Sequence, residues 1–308
     1  MHRNNNTQFQ GQAFIPLPSM TNASYFITAS KASPTNVPIL ICGESGVGKD
    51  ILAHYIHRQS QRLGKFIPIN AAGLSHNLAA SELFGYRKGA FTGAEQDKNG
   101  AFHEANGGTL FLDEIAELPL PTQAELLRTL ESGTVRKVGE NVEKQVDVRI
   151  ISATHQDLAQ LVVEKKFRED LYHRLCVLPL TIPPLRHRQN DLHTLTQTFL
   201  KELSPNYSLS DAATKKICNH AWPGNIRELK NTLTRSALVA SSYRLHASDI
   251  KIISVIKEEI HYWHRLIHPT IVDTYARTRG SVVETAKKLG VRRSLVYEHI
   301  CFENKLRF

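Results

Sequence analysis

The 308 residues suffice for two domains and a third small one, and an apolar content of 41% allows a real core. No apolar run approaches the length of a membrane span, and no charged-then-apolar signal opens the chain. This points to a cytoplasmic protein with no membrane partner. The four cysteines, Cys42, Cys176, Cys218 and Cys301, form no CxxC pair, which argues against a metal or disulfide framework. A net charge of +9 favours a polyanionic partner.

Residues 1–18 are polar and weakly patterned and read as a mobile lead-in. A short helix is predicted over Ser19–Ala32. Val37–Cys42 is a continuous apolar run, as in a strand buried on both faces. It leads into a glycine-rich turn and a helix to about Ser60. Phe66–Ile69 reads as a strand, followed by a helix near His76–Phe84. Thr109–Leu112 and Val148–Ala153 are two more buried strands. Alternation with helices predicts a parallel α/β sheet. After Val177–Leu185 the strands stop, and Asp191–Ala240 reads as a small helical lid. Residues 241–252 read as a connection, Ile253–Ile267 as a helix, and three short helices follow Pro269.

The segment GESGVGKD, Gly43–Asp50, lies between a buried strand and a helix. Glycines let backbone amides curl around phosphate oxygens, and the helix N-terminus adds a favourable dipole. Lys49 would reach the β- and γ-phosphates of ATP. Asp50 stands where a hydroxyl residue usually touches magnesium. In TLFLDE, Asp113 is placed to hold Mg, directly or through water, and Glu114 to orient the attacking water.

Between these halves lies Gly89-Ala90-Phe91-Thr92-Gly93-Ala94, one aromatic among small residues. The composition predicts a sharply bent, exposed tip with little beside Phe91 to pack on. Arg168 and Arg174 flank Glu169 and Asp170 and fit a helix-surface ion pair as well as a catalytic role. In WPGNIREL, Pro223 and Gly224 break the chain, Asn225 is placed to cap, and Arg227 falls in a helix's first turn. A cation there is disfavoured by the dipole, so an outside anion such as nucleotide phosphate would account for it.

Taken together, GESGVGKD, SELFGYRKGAFTGA, GGTLFLDEIAELP, FREDLYHRL and WPGNIREL resemble the AAA+ ATPases. More closely, they resemble the bacterial enhancer-binding proteins that activate sigma-54 RNA polymerase. The match covers roughly Val37–Ala240. The resemblance implies an AAA+ P-loop parallel sheet with a helical lid. It makes Gly43, Glu44, Ser45, Gly46, Val47, Gly48, Lys49 and Asp50 the ATP-binding loop, and Asp113 and Glu114 the catalytic carboxylates. Asn70 matches the residue that holds the catalytic glutamate inactive. Thr154 and His155 match a γ-phosphate sensor, where the family most often has Asn in place of His. Arg227 matches a second sensor on the lid. Arg168 and Arg174 match arginine fingers acting on a neighbour's ATP. A finger in trans is worth about 10³ to 10⁵ in rate, roughly 4 to 7 kcal/mol. Residues Gly89 to Ala94, with Phe91 and Thr92 at the tip, match the sigma-factor contact.

The C-terminal GSVVETAKKLGVRRSLVYEHI places Val282, Val283, Ala286 and Leu289 on one helical face and Gly290 at a turn. Leu295, Val296 and Ile300 read as the buried side of a second helix. The pattern reads as a helix-turn-helix and resembles the all-α Fis-type DNA-binding domain. The second helix would enter the major groove with Arg292, Arg293 and Ser294 near its N-terminal end, Lys287 and Lys288 would meet phosphates, and Tyr297 is a further candidate for DNA binding.

The organisation implied is a lead-in at 1–18, an α/β ATPase subdomain at 19–186 and a lid at 187–240. A linker follows at 241–268 and a DNA-binding domain at 269–308. The layout resembles the family's short members, such as the phage-shock activator and the activators of hypersensitive-response secretion genes, which lack an N-terminal regulatory domain. Control by expression level, a partner activator or an inhibitor protein follows as an expectation. So does a ring, a hexamer of one chain or mixed with a paralogue, acting from upstream enhancer DNA. Two other readings remain: a protein-remodelling AAA+ chaperone, and a DNA-binding relative that does not engage sigma-54. The complete hexapeptide argues against both.

Overall fold

The computed structural model describes residues 23–75, 78–253, 270–271, 273–278, 280–291 and 296. The chain divides into two compact units, 1–251 and 252–308.

The first unit is built on five parallel strands: β1 (Ile39–Cys42), β2 (Phe66–Asn70), β5 (Thr109–Asp113), β8 (Arg149–Thr154) and β9 (Leu178–Thr181). Their order is β2-β5-β8-β1-β9. Alternate residues of each strand feed opposite faces. Leu110, Leu112 and Ile150 pack with Phe84, Phe102, Leu126 and Leu171 on one side. Those residues come from helices α3 (Ala79–Phe84), α4 (Ala101–Glu104), α5 (Leu120–Ser132) and α7 (Glu169–Leu175). Phe111, Ile39, Ile41 and Ile151 pack on the other side with Tyr25, Phe26, Leu52 and Ile56. These belong to α1 (Ser24–Ala32) and α2 (Lys49–Gln59). Both faces are covered, which is why the strands read as unbroken apolar runs. The predicted helix over Ser19–Ala32 is observed from Ser24, its first four residues lying outside the described part.

Register brings the carboxyl ends of all five strands side by side. Cys42 pairs with Thr154 and with Thr181, and Asn70 pairs with Asp113. In open parallel sheets ligands bind beyond these ends, where strand order reverses. At the opposite end, Arg149 is buried without a carboxylate partner among the described residues. Its guanidinium donates to the carbonyls of Ser33 and Ala32 at the C-terminus of α1, where the dipole favours a cation. Burial pushes its pKa down to about 10.

The lid is α8 (Gln189–Leu203), α9 (Asp211–Cys218) and α10 (Asn225–Val239). The strands do not stop at Leu185. β10 (Ser208–Leu209) and β11 (Arg244–Leu245) form a parallel two-residue pair that ties the α8–α9 connection to the segment after α10. Two antiparallel pairs also interrupt the α/β part: β3 (Gly85–Tyr86) with β4 (Lys98–Asn99), and β6 (Thr134–Arg136) with β7 (Glu143–Gln145). Helix α6 (Leu158–Val163) is capped by Asp157, whose carboxylate accepts from the N–H groups of Ala159 and Gln160.

In the second unit, residues 273–277 are helical and α11 spans Val282–Leu289. The helix Ile253–Ile267 falls almost wholly outside the described residues. Ile271, Ala286 and Val296 form a small core with Val282 and Leu289 against it. Val283, expected on this face, is exposed. Its place is taken by Thr285, whose hydroxyl is buried against that of Thr278 at 2.6 Å. Gly290 is left-handed (φ 65°) and ends α11, as the turn required.

Candidate active site

The loop after β1 bends through three glycines with positive φ at Gly43, Gly46 and Gly48. At Gly46 a Cβ would stand 2.5 Å from the carbonyl oxygen of Gly224, so no side chain fits. Lys49 opens α2 and is 6% exposed. Its Nζ donates to the carbonyls of Gly43 (3.0 Å) and Glu44 (3.4 Å) and lies 3.5 Å from Glu114 Oε1. Asp50 is exposed on the first turn of that helix.

β5 delivers Asp113 and Glu114 to the same place. Glu114 is left-handed (φ 52°), and its N–H donates to Asp113 Oδ1 at 3.1 Å. Burial and the Glu114 charge raise the pKa of Asp113 above the ordinary carboxylate range. Burial also works to raise Glu114, but the hydrogen bonds from His155 and the charge of Lys49 outweigh it and lower its pKa. His155 Nδ1 lies 2.7 Å from Glu114 Oε2, and the His155 N–H donates to the same oxygen at 3.3 Å. A carboxylate acceptor fixes the Nδ1–H tautomer. Thr154 is fully buried; its carbonyl accepts from the N–H of Gly43 and its hydroxyl from that of Gln156.

Asn70 lies beside Asp113 in register, but its side chain accepts from the N–H of Ala72 and so caps its own turn. The groups holding Glu114 are His155 and Lys49. His155 was legible only as a γ-phosphate sensor; its grip on Glu114 depends on the β5–β8 pairing, which spacing does not reveal.

The lid side meets the loop through several residues, among them Arg227, Arg186 and Asn225. Arg227 donates to the Ser45 hydroxyl at 3.0 Å. Arg186 grips Glu44 with two N–H groups, at 2.9 and 2.7 Å. Asn225 does not cap α10, as the sequence had implied; Gly224 holds that position without a side-chain bond. Asn225 is fully buried and left-handed (φ 52°), and its amide donates to Glu44 Oε2 and the Ser45 carbonyl, both at 3.0 Å. Burial works to raise the Glu44 carboxyl, but the hydrogen bonds from Arg186 and Asn225 prevail and hold it below the usual range.

Gly89 to Ala94 form a compact double turn: the N–H of Gly89 donates to Ala94 and that of Ala94 to Phe91. Gly89 and Gly93 have positive φ and open space where a Cβ would stand. Phe91 is 39% exposed but is not bare. It rests edge-on against Tyr86 with ring centroids 5.0 Å apart, because the β3–β4 pair brings that ring under the tip. Ala90 touches Gly139 of the β6–β7 hairpin, so closely that a Cβ there would come within 2.9 Å. The hairpin is tied to β3: Val138 N–H donates to Gly85, and Arg87 N–H to Val138.

Arg168 and Arg174 do not join Asp113 and Glu114 of this chain. Arg168 pairs with Asp170 through two bonds, at 3.1 and 2.7 Å, and Arg174 donates to the Leu130 carbonyl at 2.9 Å. Lys287 and Lys288 are exposed on α11. Arg292, Arg293, Ser294 and Tyr297 lie outside the described residues.

Residues 18–181 match the sigma-54 interaction domain family, and residues 186–257 the AAA+ ATPase lid domain. The response regulator protein PilR of Pseudomonas aeruginosa is 39% identical over 287 residues, covering 87% of this chain and 64% of that protein. The DNA-binding transcriptional regulator NtrC of Proteus hauseri is 44% identical over 226 residues, covering 71% and 48%. The crystal structure of NtrX from Brucella abortus in complex with ADP superposes with a TM-score of 0.71 at 31% identity, covering 93% of this chain and 68% of that one. The chain spans about half the length of the curated relatives it matches. With a parallel sheet, a glycine loop and lid of this kind and a family match over more than half its length, the chain belongs to the sigma-54 interaction family of AAA+ ATPases.

Proposed function

We propose that the protein hydrolyses ATP in a ring of subunits and uses the cycle to press the Phe91 tip on sigma-54 RNA polymerase, converting a closed promoter complex to an open one. One observation carries this reading: the hexapeptide stands on an open hairpin tip in the same unit as the Lys49–Glu114 site. Solved NtrX structures hold ADP or ATP in a fold of this kind.

The chain's own groups divide the work. Backbone amides from Gly43 to Gly48 and the start of α2 would cradle the phosphates, with Lys49 leaving Glu114 for them. Glu114 would orient the attacking water, with His155 fixing the direction of its carboxylate. Asp113 suits magnesium, since its half-buried carboxyl is crowded by Glu114 and a divalent cation would relieve both effects. The ion would supply charge neutralisation at the phosphates. Arg168 and Arg174 are exposed on the surface, where a neighbouring protomer's nucleotide could meet them, and their local partners are easily exchanged.

For the C-terminal unit the reading is a helix-turn-helix on upstream enhancer DNA. Exposed Lys287 and Lys288 and the left-handed Gly290 support it. The division proposed is ATPase to 186, lid to 240, linker to 268 and DNA-binding domain from 269, in a cytoplasmic protein. Whether the ring has one chain or two, and whether an inhibitor protein binds it, would be read from mass measurements on the purified complex.

Thr92→Ala tests the reading. In a reconstituted assay with sigma-54 polymerase, ATPase activity and DNA binding should survive while open complexes vanish. Undiminished open-complex formation by the variant would reject the proposal.

A further inference from the structure

Glu44 places a carboxylate within the loop that receives nucleotide phosphate, where an uncompensated anion opposes the ligand. Both its oxygens are instead engaged from the lid side. Arg186, from the turn before α8, supplies two N–H groups, and Asn225, the first residue of α10, supplies a third. Asn225 also uses the rest of its amide: Oδ1 accepts from the Leu185 N–H at 2.8 Å, and Nδ2 donates to the Ser45 carbonyl. The next residue continues the pattern, with the Ile226 N–H donating to the Gly46 carbonyl at 2.9 Å. Loop residues Glu44, Ser45 and Gly46 are thus each held by the start of α10. A helix can begin without a buried, left-handed asparagine, so the strained geometry points to a role for the amide.

We propose that Asn225 and Arg186 are positioning residues. By gripping Glu44 they set the phosphate-binding shape of the loop, so that loosening the lid's grip lowers nucleotide affinity. Glu44 is then the lid's handhold and not a phosphate ligand. This rests on the loop being a nucleotide site, as proposed above.

The test uses the full chain, a fluorescent ADP analogue in equilibrium titration, and hydrogen exchange at residues 43–49 and at the Ile226 amide. N225D keeps the shape but turns the donor into an anion facing Glu44. It should weaken nucleotide binding at least tenfold and speed exchange at Ile226. Adding E44Q removes the facing charge and should recover most of that loss, so the two changes are strongly non-additive. N225G keeps the left-handed backbone and deletes the amide; it too should weaken binding. If N225G binds like the wild type, or if N225D and E44Q are simply additive, the proposal is overturned. R186Q with and without E44Q gives the same comparison should N225D fail to fold. K49A separates the two readings: it should lose nucleotide while exchange at Ile226 stays slow. Full binding by K49A would instead overturn the nucleotide site itself.

Discussion

Glu114 turns through a left-handed backbone so that one carboxylate oxygen faces Lys49 and the other His155. Phosphate would compete for Lys49, leaving His155 as the group that directs the carboxylate. His155→Ala should therefore lower kcat by about a hundredfold with KM little changed, since misplacing a reacting group costs about that much. His155→Asn retains a donor and should keep most of the rate; steady-state ATPase kinetics would show equal losses if the imidazole were merely packing. Glu44 makes a pH prediction. Its folded pKa lies below its unfolded one, so its contribution to stability is complete above the unfolded carboxylate range. It is lost as pH falls through the folded value. The melting-temperature gap between wild type and Glu44→Gln should shrink on acidification from neutral pH; a gap that widened would contradict the ion pair. Gly46→Ala and Gly93→Ala both place a side chain at positive φ, but only the first meets a backbone oxygen, at 2.5 Å. The first should abolish nucleotide binding, and the second should cost about 1 to 2 kcal/mol at most.

At the scale of elements the central strands carry the stability. Leu112 of β5 is fully buried in the core beneath α5 and α7. Leu112→Ala should cost about 2 to 5 kcal/mol in chemical denaturation. These strands were legible because each is a short apolar run beside a helix pattern, and the nucleotide loop because its glycines and lysine follow such a run directly. Pairing was not legible. Nothing along the chain says that β8 separates β5 from β1, yet that order brings His155 to Glu114. The two-residue pairs β3–β4, β6–β7 and β10–β11 are too short to show a period. Asn at the start of a helix usually caps it, so the sequence alone points to a cap at Asn225. Its partners lie about 180 residues earlier, where local spacing cannot point. The sequence leaves Phe91 bare because Tyr86 comes under it only through the β3–β4 pair.

For the whole molecule, the arginines decide whether one chain can work alone. Arg168 and Arg174 are occupied by Asp170 and Leu130 and do not reach Asp113 or Glu114 of this chain. If the fingers act between subunits, R168A and E114Q should each be inactive alone but regain ATPase activity when mixed. An R168A subunit would lend its glutamate to a site completed by its E114Q neighbour. A mixture as dead as its parts would count against the shared site. The hairpin beneath the tip adds a mechanical corollary. Strand β7 runs by a short connection into β8, and β8 ends one residue before His155. The rod between them is about 20 Å long at the usual rise per residue, and it is clamped along its length by β5 and β1. The hairpin on which Ala90 leans and the imidazole beside Glu114 are therefore joined in sequence through this one central strand, with His155 directly after its carboxyl end.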